Sequence, residues 1–384
     1  MSVVAELLTE RAELDDLVAD WDRLASLCGQ PLAAPAWMLG WLDHLAPAGA
    51  LPRVVVVRDA DRVVGLGPFF VEAGAGGRVD YRLLGGAFPR ASPLADAGRE
   101  WEVAGAVARA LAGATPRPDA VALEGLSIGS PWPAALRDGW PGPVRPPCRE
   151  YFVQGAPTAS LAPGSFEAWV ASLPSRTRRT ERRRRRSLAA AGGASRASTA
   201  ATLDDDVDAF LRLHARRWAT RGEPSSIVAL GDRMRAMLLD VGARALATGG
   251  LRLHLVEVGG EPIAAQLSAA VGGEVLLING GWDPAFAALA PATLVVVDAI
   301  EDAFARGDRR IDFGPGEQAH KVTLADGSDP VSWTLLLAPT RRLALTCART
   351  APMLAGRAAR DTLRRALTPA QRDRLRALGR GAAR

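Results

Sequence analysis

Four side chains able to bind an ion or move a proton fall in one short stretch, IDFGPGEQAHK from Ile311 to Lys321: Asp312, Glu317, His320 and Lys321. Lys321 is the only lysine of the 384-residue chain; the other cations among its 47 Lys and Arg residues are arginines. A surviving lysine marks a place that suits a compact point charge whose pKa moves on burial, in contrast to the wide, permanently charged guanidinium fork. His320, with a reference pKa of about 6.5, needs little adjustment to act as a base. Glu317 is the competing base or the group that orients the histidine, and Lys321 can hold a carboxylate or phosphate. Asp312 reads as structural, capping the turn or pairing with an arginine, with substrate contact as the alternative. A solvated loop is the plain reading for the other three.

A second group, His214, Arg217 and Trp218 in FLRLHARRW, sits at helical spacing, as does the pair Trp282 and Asp283 beyond an apolar run. Trp218 as core and the arginines as a solvated face is the simpler account of the former. Eight arginines crowd between Arg176 and Arg186, and more follow at Arg357, Arg360, Arg364, Arg365, Arg372, Arg374 and Arg376. With a net charge of +5 they invite an anionic partner such as RNA, an anionic membrane surface or a phosphate-bearing ligand; no aromatic residue interrupts the run to stack bases, and a long helix with one exposed face explains it as well. Cys28, Cys148 and Cys347 are widely separated and lack CxxC or Cys/His spacing, so neither a disulfide nor a metal site is expected, only buried thiols. The acidic start MSVVAELLTERAELDD is unlike a secretory signal and no apolar run is long enough to span a bilayer, which points to the cytoplasm, with docking on the inner face of the membrane as an option.

The elements that must position these groups repeat. Arg53–Ala73 is two β-rich runs around a polar turn, followed by VDYRLLGG; Leu251–Val271 turns at Gly259 and Gly260, followed by EVLLINGG. Each meander leads to an apolar helix, Trp101–Leu111 or Thr293–Ala305, and then to a short strand, DAVALEG or RRIDFG. Corresponding elements lie roughly 190 to 200 positions apart, so the fold class is α/β (α+β), one unit duplicated. Helices are expected at Leu14–Leu27, Pro35–Leu45, Phe166–Leu173, Val207–Trp218 and Met234–Leu246, and the proline-rich stretch Ser130–Glu150 should be largely irregular. The division is 1–156, 157–340 and a basic helical tail, 341–384.

A meander, a helix and a splayed strand, doubled in one chain, resembles the tandem GNAT-fold acyltransferases, in particular the CelD/BcsL-like family associated with bacterial polysaccharide synthesis. The matching segments are Phe210–Trp218, Leu251–Pro284, Ala290–Leu294 and Ile311–Lys321, where the family typically shows Asp-Phe, a glycine loop with an acid, then Tyr-Lys; here His320 takes the tyrosine's place. The resemblance implies two GNAT-like domains, each a mostly antiparallel twisted sheet flanked by helices, the first a degenerate scaffold. It implies acetyl-CoA or another acyl-CoA as co-substrate, no metal, and a small-molecule acceptor, a sugar or cell-envelope precursor acylated on an amine. Pantetheine would pair with the splayed strand at Leu277, Ile278 and Asn279. Pyrophosphate would rest on the turn and helix start at Ala290, Ala292, Thr293 and Leu294; Ala292 replaces a glycine, which is expected to narrow that cradle. Glu317, His320 and Lys321 would be catalytic, and His214, Arg217, Trp218, Trp282 and Asp312 would line the acceptor cleft. Related FemAB-like enzymes supply the alternative of an aminoacyl-tRNA-dependent transferase; a non-catalytic basic scaffold binding RNA or membrane is the other.

Overall fold

The computed structural model describes residues 3–74, 77–86, 88, 90–219 and 225–366. The first strands are β1 (Val4–Leu8), β2 (Leu51–Asp59), β3 (Arg62–Gly74), β4 (Arg78–Leu83), β5 (Leu94–Ala95), β6 (Ala120–Ser127) and β7 (Cys148–Gln154), of which β2, β3, β4 and β6 stand close to where their patterning puts them. Then follow β8 (Pro157–Ser160), β9 (Gly193–Ala197), β10 (Leu251–Val258), β11 (Glu261–Val271), β12 (Glu274–Trp282), β13 (Arg310–Asp312), β14 (Gly327–Ser328) and β15 (Val331–Leu337). They form two mixed sheets, β1-β2-β3-β4-β6-β15-β7, with β5 beside β3, and β14-β8-β13-β12-β11-β10-β9.

The duplication is visible in the pairing. In the first sheet β4 and β6 run parallel over three pairs, Asp80 with Ala120, Tyr81 with Val121 and Arg82 with Ala122. In the second, β12 and β13 do the same with Glu274 and Arg310, Val275 and Ile311, Leu276 and Asp312. Parallel neighbours need a crossover, and a helix supplies it in each unit.

The helices are α1 (Val18–Cys28), α2 (Pro35–His44), α3 (Glu100–Gly113), α4 (Trp132–Gly139), α5 (Phe166–Ser172), α6 (Ser175–Ala190), α7 (Leu203–Ala219), α8 (Ser226–Leu230), α9 (Asp232–Ala245), α10 (Pro291–Ala305), α11 (Ala319–Leu324) and α12 (Leu343–Ala366). α7 begins four residues before the expected start, with Asp204, Asp205 and Asp206 in its first turn, where the helix dipole favours acids. The proline-rich stretch is not irregular throughout: α4 starts within it, because prolines in a first turn cost no hydrogen bond, and Trp132, Leu136 and Trp140 are buried. The expected tail is α12 as far as Ala366; Arg372, Arg374 and Arg376 lie outside the described residues.

One core joins the two sheets. Trp21, Leu24, Met38 and Leu39 of α1 and α2 meet Phe210, Leu213, Met237 and Leu238 of α7 and α9 in a single cluster. Each such side chain contributes about 1.5–3 kcal/mol through burial, so neither unit keeps its inner face covered without the other. α3 and α4 cover the outer face of the first sheet, and α5 and α10 that of the second. The sequence division at 157 and 340 crosses this architecture: β15, placed in the second unit by sequence, enters the first sheet between β6 and β7, while β8 and β14 pair in the second. The chain therefore passes between the sheets twice, as an antiparallel ribbon of residues 148–160 against 327–337.

Candidate active site

Beyond Leu276 and Asp312 the parallel pairing ends and the two strands part. β13 leaves through Gly314, whose φ of 73° and close approach to the Leu277 carbonyl suit glycine alone: a Cβ there would lie 2.9 Å from that oxygen. β12 continues with an extra residue, since Leu267 pairs with Asn279 and Ser268 with Leu277, leaving Ile278 as a bulge that bends the strand. Ile278, Asn279 and Gly280 are half-buried at the opening, whereas Leu277 is in the core.

α7 closes one side of the opening. It packs so tightly on β12 that a Cβ at Gly281 would stand 2.2 Å from the backbone nitrogen of His214. His214 is buried; its Nδ1 is 3.2 Å from the Gly280 carbonyl and its Nε2 2.8 Å from Ser225 Oγ. The carbonyl can only accept, so Nδ1 carries the proton and Nε2 accepts from the serine hydroxyl. Burial, reinforced by Arg217 and opposed by the bond to Gly280, lowers the His214 pKa to about 4, so the ring is neutral near pH 7 and acts as a tie. Arg217 donates from Nη1 to the same carbonyl at 2.9 Å, and the Trp218 ring lies 6.0 Å from that of His214.

The glycine loop is held from both ends. Asp312, buried at the end of β13, accepts the Gly314 N–H at 2.7 Å and forms an ion pair with Arg90 of the first unit. Burial pushes its carboxyl pKa up, against the pull of Arg90 and of the Gly314 N–H. Lys321, half-buried in α11, donates to the Gly314 and Pro315 carbonyls at 3.1 and 3.2 Å. Burial lowers its pKa to about 8, with Arg217 adding to the shift and Asp312 opposing it. His320 precedes it, half-buried, while Glu317 is exposed and rests against Gly155.

α10 follows β12 in the chain after a short turn. Ala290 caps it with φ 52°, a left-handed conformation rare for a residue with a Cβ, and Pro291 sets the first turn. The glycine-like backbone position is thus Ala290; Ala292 is half-buried and already helical. No acid occupies the first turn of α10, whereas the equivalent helix α3 opens with Glu100 and Glu102. An anion at the helix end is favoured in the second unit and repelled in the first. The first unit's own opening is partly filled, since the Arg90 N–H bonds the Gly125 carbonyl beyond the end of β4–β6 pairing.

Of the sequence candidates, His214, Arg217, Trp218, Asp312 and Lys321 gather around the opening, and Ile278 and Asn279 form its edge. Trp282 packs on the opposite face with Phe286 and Leu289, and Leu294 is wholly buried in that same cluster. Asp283 pairs with Arg216 and caps the turn at Ala285. Arg90, Ser225 and Gly281 emerge only from the fold; nothing in their local sequence announces partners in distant segments. The three cysteines are free and half-buried, not fully buried. Among the described residues no group of three or more His, Cys, Asp or Glu side chains could hold a metal, and no helix is long and apolar enough to cross a membrane.

The arginine run is α6, and it sorts by face. Arg184 pairs with Glu181, Arg185 with Asp298 and Glu301, and Arg178 bonds the Ala171 and Leu173 carbonyls; Arg182 lines a groove with Phe166 and Trp169, while Arg176, Arg179, Arg183 and Arg186 are exposed on the far side.

Residues 175–322 match the family model described as "Acetyltransferase (GNAT) domain". No curated protein matches the chain in sequence. Among solved structures, FemX is similar with a TM-score of 0.61 at 10% identity, covering 88% of this chain and 98% of FemX. A conserved protein of unknown function from Bacteroides thetaiotaomicron gives 0.55 at 13%, covering 87% and 100%. The L-PGS of Bacillus licheniformis gives 0.51 at 12%, covering 91% and 99%. At such identities the likeness concerns the fold: a mixed α/β chain of two sheets flanked by helices, with residues 175–322 matching a GNAT-type acetyltransferase domain.

Proposed function

We propose that the protein is an acyl-CoA-dependent N-acyltransferase of the CelD/BcsL-like type, with acetyl-CoA the first donor to try and an amine of a sugar or cell-envelope precursor as acceptor. The observation that carries this reading is the asymmetry between the duplicated units. Both have parallel strands that part after three pairs, but only the second leaves its bulged strand half-exposed beside a helix start free of acids. A thioester donor supplies an activated acyl group; its pyrophosphate suits the Ala292 and Thr293 end of α10, and its pantetheine suits the backbone at Ile278 to Gly280.

The chain's own residues then have distinct tasks. His214 and Arg217, both on the Gly280 carbonyl, fix the bulged strand. Arg217 and Lys321 put positive charge beside the opening, which favours an acceptor bearing a carboxylate or phosphate. His320, or Glu317 from the exposed loop, takes the proton that the acceptor amine must lose. The exposed arginines of α6 fit an anionic membrane surface on the cytoplasmic side, or tRNA, and loss of binding as salt rises would be their signature.

Calorimetry with acetyl-CoA and longer acyl-CoAs tests the reading directly. Saturable binding by at least one of them is expected. If none binds and charged tRNA does, an aminoacyl-tRNA-dependent transfer replaces it.

A further inference from the structure

We infer that Lys321 is an internal acyl acceptor: its amine takes the acyl group from the thioester bound in the opening and is thereby converted to an amide, a self-modification that blocks the site. This rests on the acyl-CoA reading above. The geometry points to it in three ways. The ammonium-bearing carbon chain ends at the place where the strands part: Lys321 Nζ and the Leu277 carbonyl oxygen lie 3.8 and 2.9 Å from one and the same point, the position a Cβ on Gly314 would take. Two N–H groups of Nζ go to the Gly314 and Pro315 carbonyls. A neutral amine has two N–H bonds and one lone pair, so these two carbonyls orient it as a nucleophile, with the lone pair turned away from both. The chain also holds no second lysine to compete.

The surroundings favour the neutral form. Burial disfavours the ammonium; Asp312 of β13, which is paired with Arg90, opposes this and Arg217 of α7 adds to it, so the pKa falls to about 8. His320 and Glu317 are the remaining titratable groups on its own stretch. A desolvated lysine beside another cation is the usual way to activate an amine near neutral pH. In the reaction the lone pair attacks the thioester carbonyl carbon, a C–N bond forms, the C–S bond breaks, and the proton lost by nitrogen ends on the departing thiolate. The products are an acyl-lysine amide and free coenzyme A; no further reactant is needed.

The test uses the full chain and acetyl-CoA. A lysine-specific protease has a single site in the denatured protein, after Lys321. Incubation with acetyl-CoA should abolish that cut and add the mass of one acetyl group to the Lys321 peptide, whereas Lys321→Arg should gain none there. The rate should rise about tenfold per pH unit below pH 8 and level off above it. Acetic anhydride, which needs no binding site, should also label Lys321 readily at neutral pH. If acetyl-CoA binds by calorimetry yet cleavage after Lys321 stays complete, the amine is out of reach and the inference fails while the acyl-CoA reading stands. If acetyl-CoA and longer acyl-CoAs all fail to bind, both fall.

Discussion

Replacing Arg90 by Met would test how the two units share the site. Arg90 is 7% exposed and holds a φ of 92°, a conformation that costs backbone energy unless surrounding bonds enforce it. Its guanidinium reaches Asp312, the Asp329 carboxylate at 2.9 Å, the Asp329 carbonyl at 2.7 Å and Ser127 Oγ at 2.9 Å. Arg90→Met leaves the buried Asp312 carboxylate with the Gly314 N–H and no cation in contact, a loss of about 3–5 kcal/mol by the usual cost of breaking a buried pair. Asp312→Asn should cost less, about 1–3 kcal/mol, because Arg90 keeps its Asp329 and Ser127 partners. The double variant should then be more stable than the sum of the two losses implies, by roughly 2 kcal/mol. The sign of the pH dependence follows from Asp312, whose folded pKa already lies above its ordinary value and rises further without Arg90. An acid with a raised folded pKa binds more protons folded than unfolded, so its contribution worsens as pH climbs through that interval. The Arg90→Met deficit should therefore be smallest near about pH 4 and grow towards neutrality. Urea unfolding followed by tryptophan fluorescence at several pH values measures it. A deficit below about 1 kcal/mol at neutral pH, one that is independent of pH, or strict additivity with Asp312→Asn would refute the coupling of Arg90 to Asp312.

Three further outcomes are expected. His214, with its pKa lowered to about 4, contributes stability that is complete above the unfolded value near 6.5 and lost as pH falls between the two, on the order of 3 kcal/mol; His214→Gln should flatten that part of the thermal stability profile. Gly281→Ala places a Cβ against the His214 backbone, so α7 must shift; a loss of about 1–3 kcal/mol in denaturant unfolding is expected, and unchanged stability would mean that α7 is not pinned to β12. Ala292→Glu adds an acid to the first turn of α10, which should raise the melting temperature slightly through the helix dipole yet weaken acyl-CoA binding about fivefold or more, as calorimetry would show.

Both meanders, both crossover helices and the short strands after them were legible because their apolar residues repeat at strand or helix spacing over long runs. The return of β15 was not: nothing local in VSWTLLL says which sheet it joins, and only the gap between β6 and β7 decides. At the site, Asp312 and Lys321 lie close because the short glycine loop joins them, one bonding the Gly314 N–H and the other its carbonyl. Sequence offered Lys321 to an outside anion, whereas its Nζ is bound to two carbonyls of that same loop. The αL strain at Ala290, two residues before the one that drew notice, depends on dihedral angles that composition does not encode. Arg90 is the clearest omission, since its partners Asp312 and Asp329 lie in the other half of the chain.

The ribbon that runs between the sheets also sets an order of events during synthesis. Ala120 finds its neighbour at Leu337, so β6 emerges from the ribosome with an unsatisfied edge and keeps it until residue 337 has been made. Pairings of such long range close slowly, and an early fragment ending near residue 156 would expose that edge to other chains. A duplicated protein whose first copy is finished by a strand from beyond the second is therefore one folding unit in time as well as in space, and a gene split between its halves should yield aggregates unless both pieces are made together.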